Sequence, residues 1–187
     1  QLATPTARYD ISHQKAQASL VFSNGTDLRV ARANLVIDTL EVLQTNTRLA
    51  ADSLRFAIRP VVGSPLSYQV GFDIQTLAPT AATKAQLDPV GVLPAAIETL
   101  QFDATVGFDA AWDRHALERQ RPQPTDLKIT NAQATWGGLD LRIAADLQID
   151  DFGQASGDIS VKATNWREIV ALTNNAGLVP PSFLPLL

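Results

Sequence analysis

The side chains that could carry acid–base or metal chemistry are few in this chain and lie far apart. It contains two histidines, His13 and His115, and no cysteine. His115 follows Asp113 closely, but one imidazole with one carboxylate does not make up the ligand set of a zinc site. A catalytic serine would need a sharp turn with a base in reach, and no G-x-S-x-G sequence occurs. We therefore predict that the protein is not an enzyme and has no catalytic residue, no metal ligand and no cofactor. An enzyme would need a pocket that gathers His115 or a cluster of aspartates.

Aspartates near residue 150 are compatible with two kinds of metal-binding motif, but a structural explanation accounts for them equally well. Asp151-Phe152-Gly153 has the letters of the kinase metal-binding tripeptide, but no glycine-rich loop or catalytic-loop motif accompanies it. Asp150 and Asp151 could bind calcium as a pair, yet the alternating oxygen ligands of a calcium loop do not follow them. An acidic hairpin turn explains them without an ion.

Composition narrows the class of protein. The chain has 187 residues, of which 45% are hydrophobic and 18% charged, and its net charge is −4. This balance excludes disordered, collagen-like and disulfide-stapled chains, and an acidic chain has no excess of cations for binding nucleic acid by charge. No apolar run approaches the roughly 20 residues of a membrane helix. Because Gln1 stands first and no methionine occurs, we expect that Gln1 is not the translation start and that a signal peptide, a membrane anchor or a tag precedes it.

Alternation of apolar and polar residues dominates the chain and predicts strands with one apolar face. The clearest segment runs from Phe102 to Ala110, and a longer one runs from Leu139 to Ile149. Such segments form antiparallel sheets with one apolar and one solvated face. The predicted fold is mainly β, a curved antiparallel sheet or a sandwich-like arrangement. We expect one β-rich domain over residues 1–187, with a possible subdomain break near residues 120–125.

Two short helices interrupt this pattern. Apolar residues at spacings of three and four over residues 83–100 predict a helix near 94–100, starting at Pro94, where proline is tolerated in the first turn. Asn165 as N-cap and Gly177 as stop predict a second helix over 166–176. Asn24-Gly25 suits the tight turn of a hairpin.

The apolar face is the remaining candidate for function. It is either a core packed under the helices and a second layer, or a concave groove left partly open for acyl chains, since both give the same alternation. The residues predicted to line it are Tyr68, Phe102, Val106, Phe108, Leu141, Ile143 and Leu147.

The C-terminal half resembles the bacterial "domain of unknown function 2125" family. The residues that carry the resemblance are Leu127-Lys128-Ile129, 134–141, 153–159, Asn165-Trp166-Arg167-Glu168 and Gly177-Leu178-Val179. Gly138 stands where the family often has proline, a small departure for a turn. The resemblance implies that the chain is a fragment of a longer exported protein from an alphaproteobacterium, with an N-terminal export or anchoring segment, on the periplasmic side of the inner membrane. It also implies a distant similarity to AsmA-like envelope proteins, which are associated with lipid movement.

The function expected is a non-enzymatic one in the cell envelope, in which the apolar face binds or shields a lipid or another apolar ligand. The alternative is a structural or protein-interaction module whose exposed sheet edge pairs with another chain, such as an envelope protein partner, or with further parts of the same protein. The oligomeric state is left open by the sequence.

Overall fold

A computed structural model describes residues 9–44, 47–116 and 121–175, and this part of the chain forms one open antiparallel sheet with two short helices. The strands are β1 (Asp10–Ser12), β2 (Lys15–Phe22), β3 (Val30–Gln44), β4 (Thr47–Val61), β5 (Ser64–Leu77), β6 (Ile97–Phe108), β7 (Pro124–Trp136), β8 (Leu139–Ile149) and β9 (Ala155–Thr164). Their order is β1-β3-β4-β5-β6-β7-β8-β9, with β2 also paired to β3. The mainly β, antiparallel prediction is confirmed, and the described strands form a single layer.

Within the described residues short turns join three pairs of neighbouring strands: β4 to β5, β7 to β8, and β8 to β9. Gly63 (φ 80°) lies between β4 and β5, and Gly137 (φ 59°) lies between β7 and β8. Between β8 and β9, the Asp150 carboxylate accepts hydrogen bonds from the Phe152 and Gln154 N–H groups at 2.9 and 2.8 Å. Asp150 thus closes a hairpin turn, in agreement with the structural interpretation of Asp150 and Asp151 as an acidic turn. The Asn24-Gly25 prediction is wrong in detail, because the β2–β3 connection is longer and is closed by Ser23 N–H donating to the Arg29 carbonyl at 2.8 Å.

The first predicted helix is wrong. Helix α1 spans Ala81–Leu87, with Thr80 as its N-cap, and residues 94–100 do not form a helix. The chain is irregular up to Ile97, where β6 begins. The spacing of three and four misled the prediction because it joined apolar residues of three different structures: the end of α1, an irregular segment and a strand. Proline at 89 and 94 favoured that irregular segment.

The second predicted helix is confirmed as α2, Trp166–Asn175. Asn165 precedes it, but its side chain acts differently from an N-cap: Nδ2 donates to the Gly138 carbonyl at 2.8 Å. The predicted stop at Gly177 lies outside the described residues. The predicted break near 120–125 also falls partly outside them, and Pro124 there begins β7.

Candidate functional site

Three rows of apolar side chains cross one face of the sheet from β2 to β9. The register between strands makes each row a chain of directly opposed residues, which lie on the same face of a sheet. The central row is Ala18, Leu35, Phe56, Phe72, Phe102, Ala132, Ile143 and Val161. The row on one side is Leu20, Ala33, Ile58, Val70, Ala104, Ile129, Ala145 and Ile159, and that on the other is Ala16, Ile37, Leu54, Ile74, Leu100, Ala134, Leu141 and Ala163. No polar residue interrupts these three rows, which we call the apolar face.

One end of the apolar face is covered by residues 109–116, which we call the strap. The strap reaches the start of β3, where Val30 N–H donates to the Trp112 carbonyl at 3.1 Å. Tyr68 is buried there, with its ring 6.1 Å from that of Phe108, which lies 5.7 Å from the Trp112 ring. Burial raises the pKa of the Tyr68 hydroxyl, although a hydrogen bond with the Trp112 backbone acts in the opposite direction. Aromatic packing of this kind closes the end against water.

The opposite end is covered by α1 and residues 88–96. Trp136, at the end of β7, is 6% exposed, and its indole N–H donates to the Pro94 carbonyl at 3.0 Å. Asp88 shapes the covering segment, because its carboxylate accepts from the N–H groups of Gly91, Val92 and Leu93 at 2.9, 3.1 and 2.9 Å. We call this region the Trp136 end.

The electrostatics of Asp88 fit that role. Hydrogen bonding by the Leu93 N–H is the largest influence that lowers its pKa, and the Lys84 ammonium, 3.0 Å away, adds to it; the pKa falls from 3.8 to about 2. The Lys84 Nζ also stands 6.0 Å from the centre of the Trp136 ring. Asp88 therefore stays ionised and ties α1 to the segment that covers Trp136.

Between the two ends, and among the described residues, the apolar face is partly open to solvent, although Ala104 and Ala145 in the row beside the central one are buried. Phe72, in the middle of the central row, is 37% exposed and stacks on Phe102 at 5.5 Å. Exposure is greater at both edges, where Leu20 of β2 is 57% exposed and Val161 of β9 is 61% exposed. A monomer whose sheet is fully packed does not leave stacked aromatic rings and edge aliphatics of one face in water.

The seven residues predicted to line the face divide into two groups. Tyr68 and Phe108 belong to the covered end beneath the strap. The other five are half-buried on the open part of the sheet or beside it: Phe102, Val106, Leu141, Ile143 and Leu147. Sequence reasoning left out Phe72 and Phe56, although the alternation over 68–74 already placed Phe72 on this face. The role of the seven predicted residues as ligand contacts stays a prediction.

The polar face has a different character. Two adjoining hollows of about 500 and 460 Å³ lie there, where the small residues Ala57 and Gly71 are flanked by longer side chains. Arg59 at their margin is engaged with Gln69, its Nε donating to Oε1 at 2.7 Å. Cationic, anionic and amide side chains surround these hollows, as is typical of the solvated face of a sheet. The concavity expected of the apolar face stays a prediction.

The described residues contain no cluster of metal-ligating side chains. No three His, Asp or Glu side chains among residues 9–44, 47–116 and 121–175 are arranged to hold a metal ion. His115 accepts a hydrogen bond at Nε2 from Arg114 Nε at 2.9 Å, and its backbone N–H donates to Asp113 at 2.7 Å. These contacts stabilise the strap. Neither described helix has the length and apolar content to cross a bilayer.

The whole chain, residues 1–187, matches a bacterial family described as an uncharacterized protein conserved in bacteria (DUF2125). The chain belongs to this family. The resemblance seen in its C-terminal half is thereby confirmed and extends to the first ninety residues. No curated protein and no solved structure matches this DUF2125 chain.

Proposed function

We propose that this DUF2125 protein is a non-enzymatic envelope protein that binds the acyl chains of a lipid along its apolar face. The single observation that carries the proposal is the open middle of that face, where three uninterrupted apolar rows leave Phe72 37% exposed beside Phe102. The residues that would contact the ligand are those of the central row and its neighbours, Leu141 and Ile143 included.

The dimensions of the face suit a chain laid across the strands. Neighbouring strands lie about 4.8 Å apart, so the rows from β2 to β9 extend roughly 34 Å. An acyl chain occupies about half of a bilayer core, on the order of 15 Å, and would cross three or four strands. The strap and the Trp136 end leave the β2 and β9 edges as the open directions for a headgroup.

The energetics favour an apolar occupant. Each Å² of apolar surface removed from water contributes roughly 25 cal/mol, whereas a polar ligand would find no hydrogen-bonding side chain in the three rows. The envelope location implied by the family resemblance is part of this proposal, because lipid is abundant there.

A matched pair of variants tests the proposal. Ile143 lies on the apolar face, and Ala144, the next residue of β8, is exposed on the polar face. Native mass spectrometry of the gently purified protein, followed by lipid extraction, should show a discrete added mass of fatty-acid or phospholipid size. Ile143→Asp should lower lipid capture at least about tenfold, because a carboxylate against an acyl chain is strongly unfavourable. Ala144→Asp should leave it unchanged.

A protein that keeps its unliganded mass after incubation with membrane lipid extract would overturn the proposal. Equal capture by the two variants would also overturn it. If Ile143→Asp fails to fold, Phe72→Ser on the same row is the second variant, since its ring is already partly in water.

A further inference from the structure

The free edge of the sheet at β9 has the properties of an interaction surface. Within the described part of the chain β9 pairs only with β8, so its outer backbone N–H and C=O groups face away from the sheet. The strand is ten residues long, and every residue except Ala163 is exposed. Its sequence contains no proline, and β8 pairs with it without a bulge. Of the devices that usually protect an edge strand from pairing, β9 has charged side chains but neither a proline nor a bulge.

The charges of β9 are mismatched with those of its inner neighbour. Asp158 lies directly opposite Asp146, and Lys162 lies directly opposite Arg142. Like charges in directly opposed positions destabilise a strand pair. The β8 charges have other partners, because Lys128 contacts Asp146 at 3.1 Å and Asp140 contacts Arg142 at 2.9 Å.

Asp158 and Lys162 have no such partners among the described residues. They lie four positions apart and point to the same face of the strand. A partner strand that satisfies both must therefore present a cation and an anion at the same separation, in the reverse order.

We propose that this partner is β9 of a second copy, paired antiparallel and centred on Ser160. In that register Ser160 faces Ser160, Asp158 of each copy faces Lys162 of the other, and Ile159 faces Val161 on the opposite face. Both ion pairs and both aliphatic pairs form at once. The two-fold axis stands perpendicular to the sheet, as a symmetric dimer requires.

Other registers do not achieve this. Centring on Ile159 or Val161 separates Asp158 from Lys162, and a pairing centred between two residues places the apolar face of one copy on the polar side of the other. The register centred on Ser160 joins the two apolar faces into one continuous surface. It does not depend on whether a lipid binds there.

Charge reversal makes the register testable. D158K and K162D should each weaken self-association about tenfold or more, measured by sedimentation over a concentration series, because each change replaces two attractive pairs by two repulsive ones. The double variant D158K/K162D should restore dimerisation to within a few-fold of the unmodified protein. An equimolar mixture of D158K and K162D should form heterodimers, since each copy then supplies what the other lacks.

The same variants carry an internal check on folding. D158K and K162D each place an opposite charge across from Asp146 or Arg142, so the unfolding temperature of the monomer should hold or rise by about 1–3 °C. D151K, the same charge change in the adjacent hairpin, is the matched control and should not alter association. A protein that stays monomeric at all concentrations overturns the proposal, as does a mixture without heterodimers or an equal effect of D151K and D158K.

Discussion

The Trp136 end and the open middle of the apolar face are built from the same alternating strands, yet one is covered and the other is not. At the Trp136 end, Trp136 is 6% exposed and has a hydrogen-bond partner for its indole. In the open middle, Phe72 is 37% exposed and touches another ring of the same sheet. The first arrangement is typical of a folded core and the second of a surface that exchanges water for a partner. Stability and binding should therefore separate along the length of the strands.

The largest effect on stability is expected at the Trp136 end. Trp136→Ala should lower the free energy of unfolding by about 3–5 kcal/mol, because it removes a buried ring and leaves a cavity under Pro94. Urea denaturation measures the change. Trp166→Ala is the matched control, since that ring is 48% exposed, and it should cost less than about 1 kcal/mol. Similar losses in the two variants would mean that the Trp136 end is no better packed than the surface.

The next expected effect is a pH dependence at the same end. The folded-state pKa of Asp88 is lowered to about 2 from 3.8, so its ionised form is favoured by folding. Its contribution is fully present above pH 3.8 and is lost as the pH falls from there towards about 2. In the Asp88→Asn variant the free energy of unfolding should fall less steeply across this pH interval. Urea denaturation at each pH measures the difference.

Asp151→Asn in the exposed hairpin serves as the control for that titration and should leave the acid slope as it is. An acid slope that Asp88→Asn does not change would show that the bonds to Gly91, Val92 and Leu93 do not discriminate between the two protonation states.

In the open middle of the apolar face we expect a substitution to change ligand capture strongly and stability only slightly. Phe72→Ser should lower the free energy of unfolding by only about 1–2 kcal/mol, since much of the ring is already in water, while reducing the capture of spin-labelled palmitate about tenfold. Thermal unfolding and electron paramagnetic resonance on the same samples separate the two quantities. If stability falls as far as in Trp136→Ala while palmitate capture holds, the middle is core and the comparison fails.

The fold was largely predictable from the sequence because strand alternation is a local property. The predicted segment 139–149 coincides with β8, and the segment 102–110 lies on β6 except for its last two residues, which belong to the strap. The helix predicted near 94–100 is wrong because hydrogen bonds determine the local structure there. The Asp88 carboxylate accepts from the N–H groups of Gly91, Val92 and Leu93, and hydrophobic periodicity carries no information about such bonds. Exposure was not predictable either. Tyr68 and Phe72 belong to the same alternating run, and only the strap, from a distant part of the chain, distinguishes buried Tyr68 from exposed Phe72.

The smallest effect is expected on the polar face, at the ion pair between Lys128 and Asp146. Both side chains are about 60% exposed (61% and 60%), so Lys128→Gln should cost about 0.2–1 kcal/mol of unfolding free energy. The loss should shrink in 1 M salt, where the screening length falls to about 3 Å. Removing Lys128 also leaves Asp146 facing Asp158 without a nearby cation, so hydrogen exchange should increase first in β9. A loss comparable to that of Trp136→Ala, or exchange that rises in β6 instead, would mean that the polar face stabilises the sheet more than its solvated side chains account for.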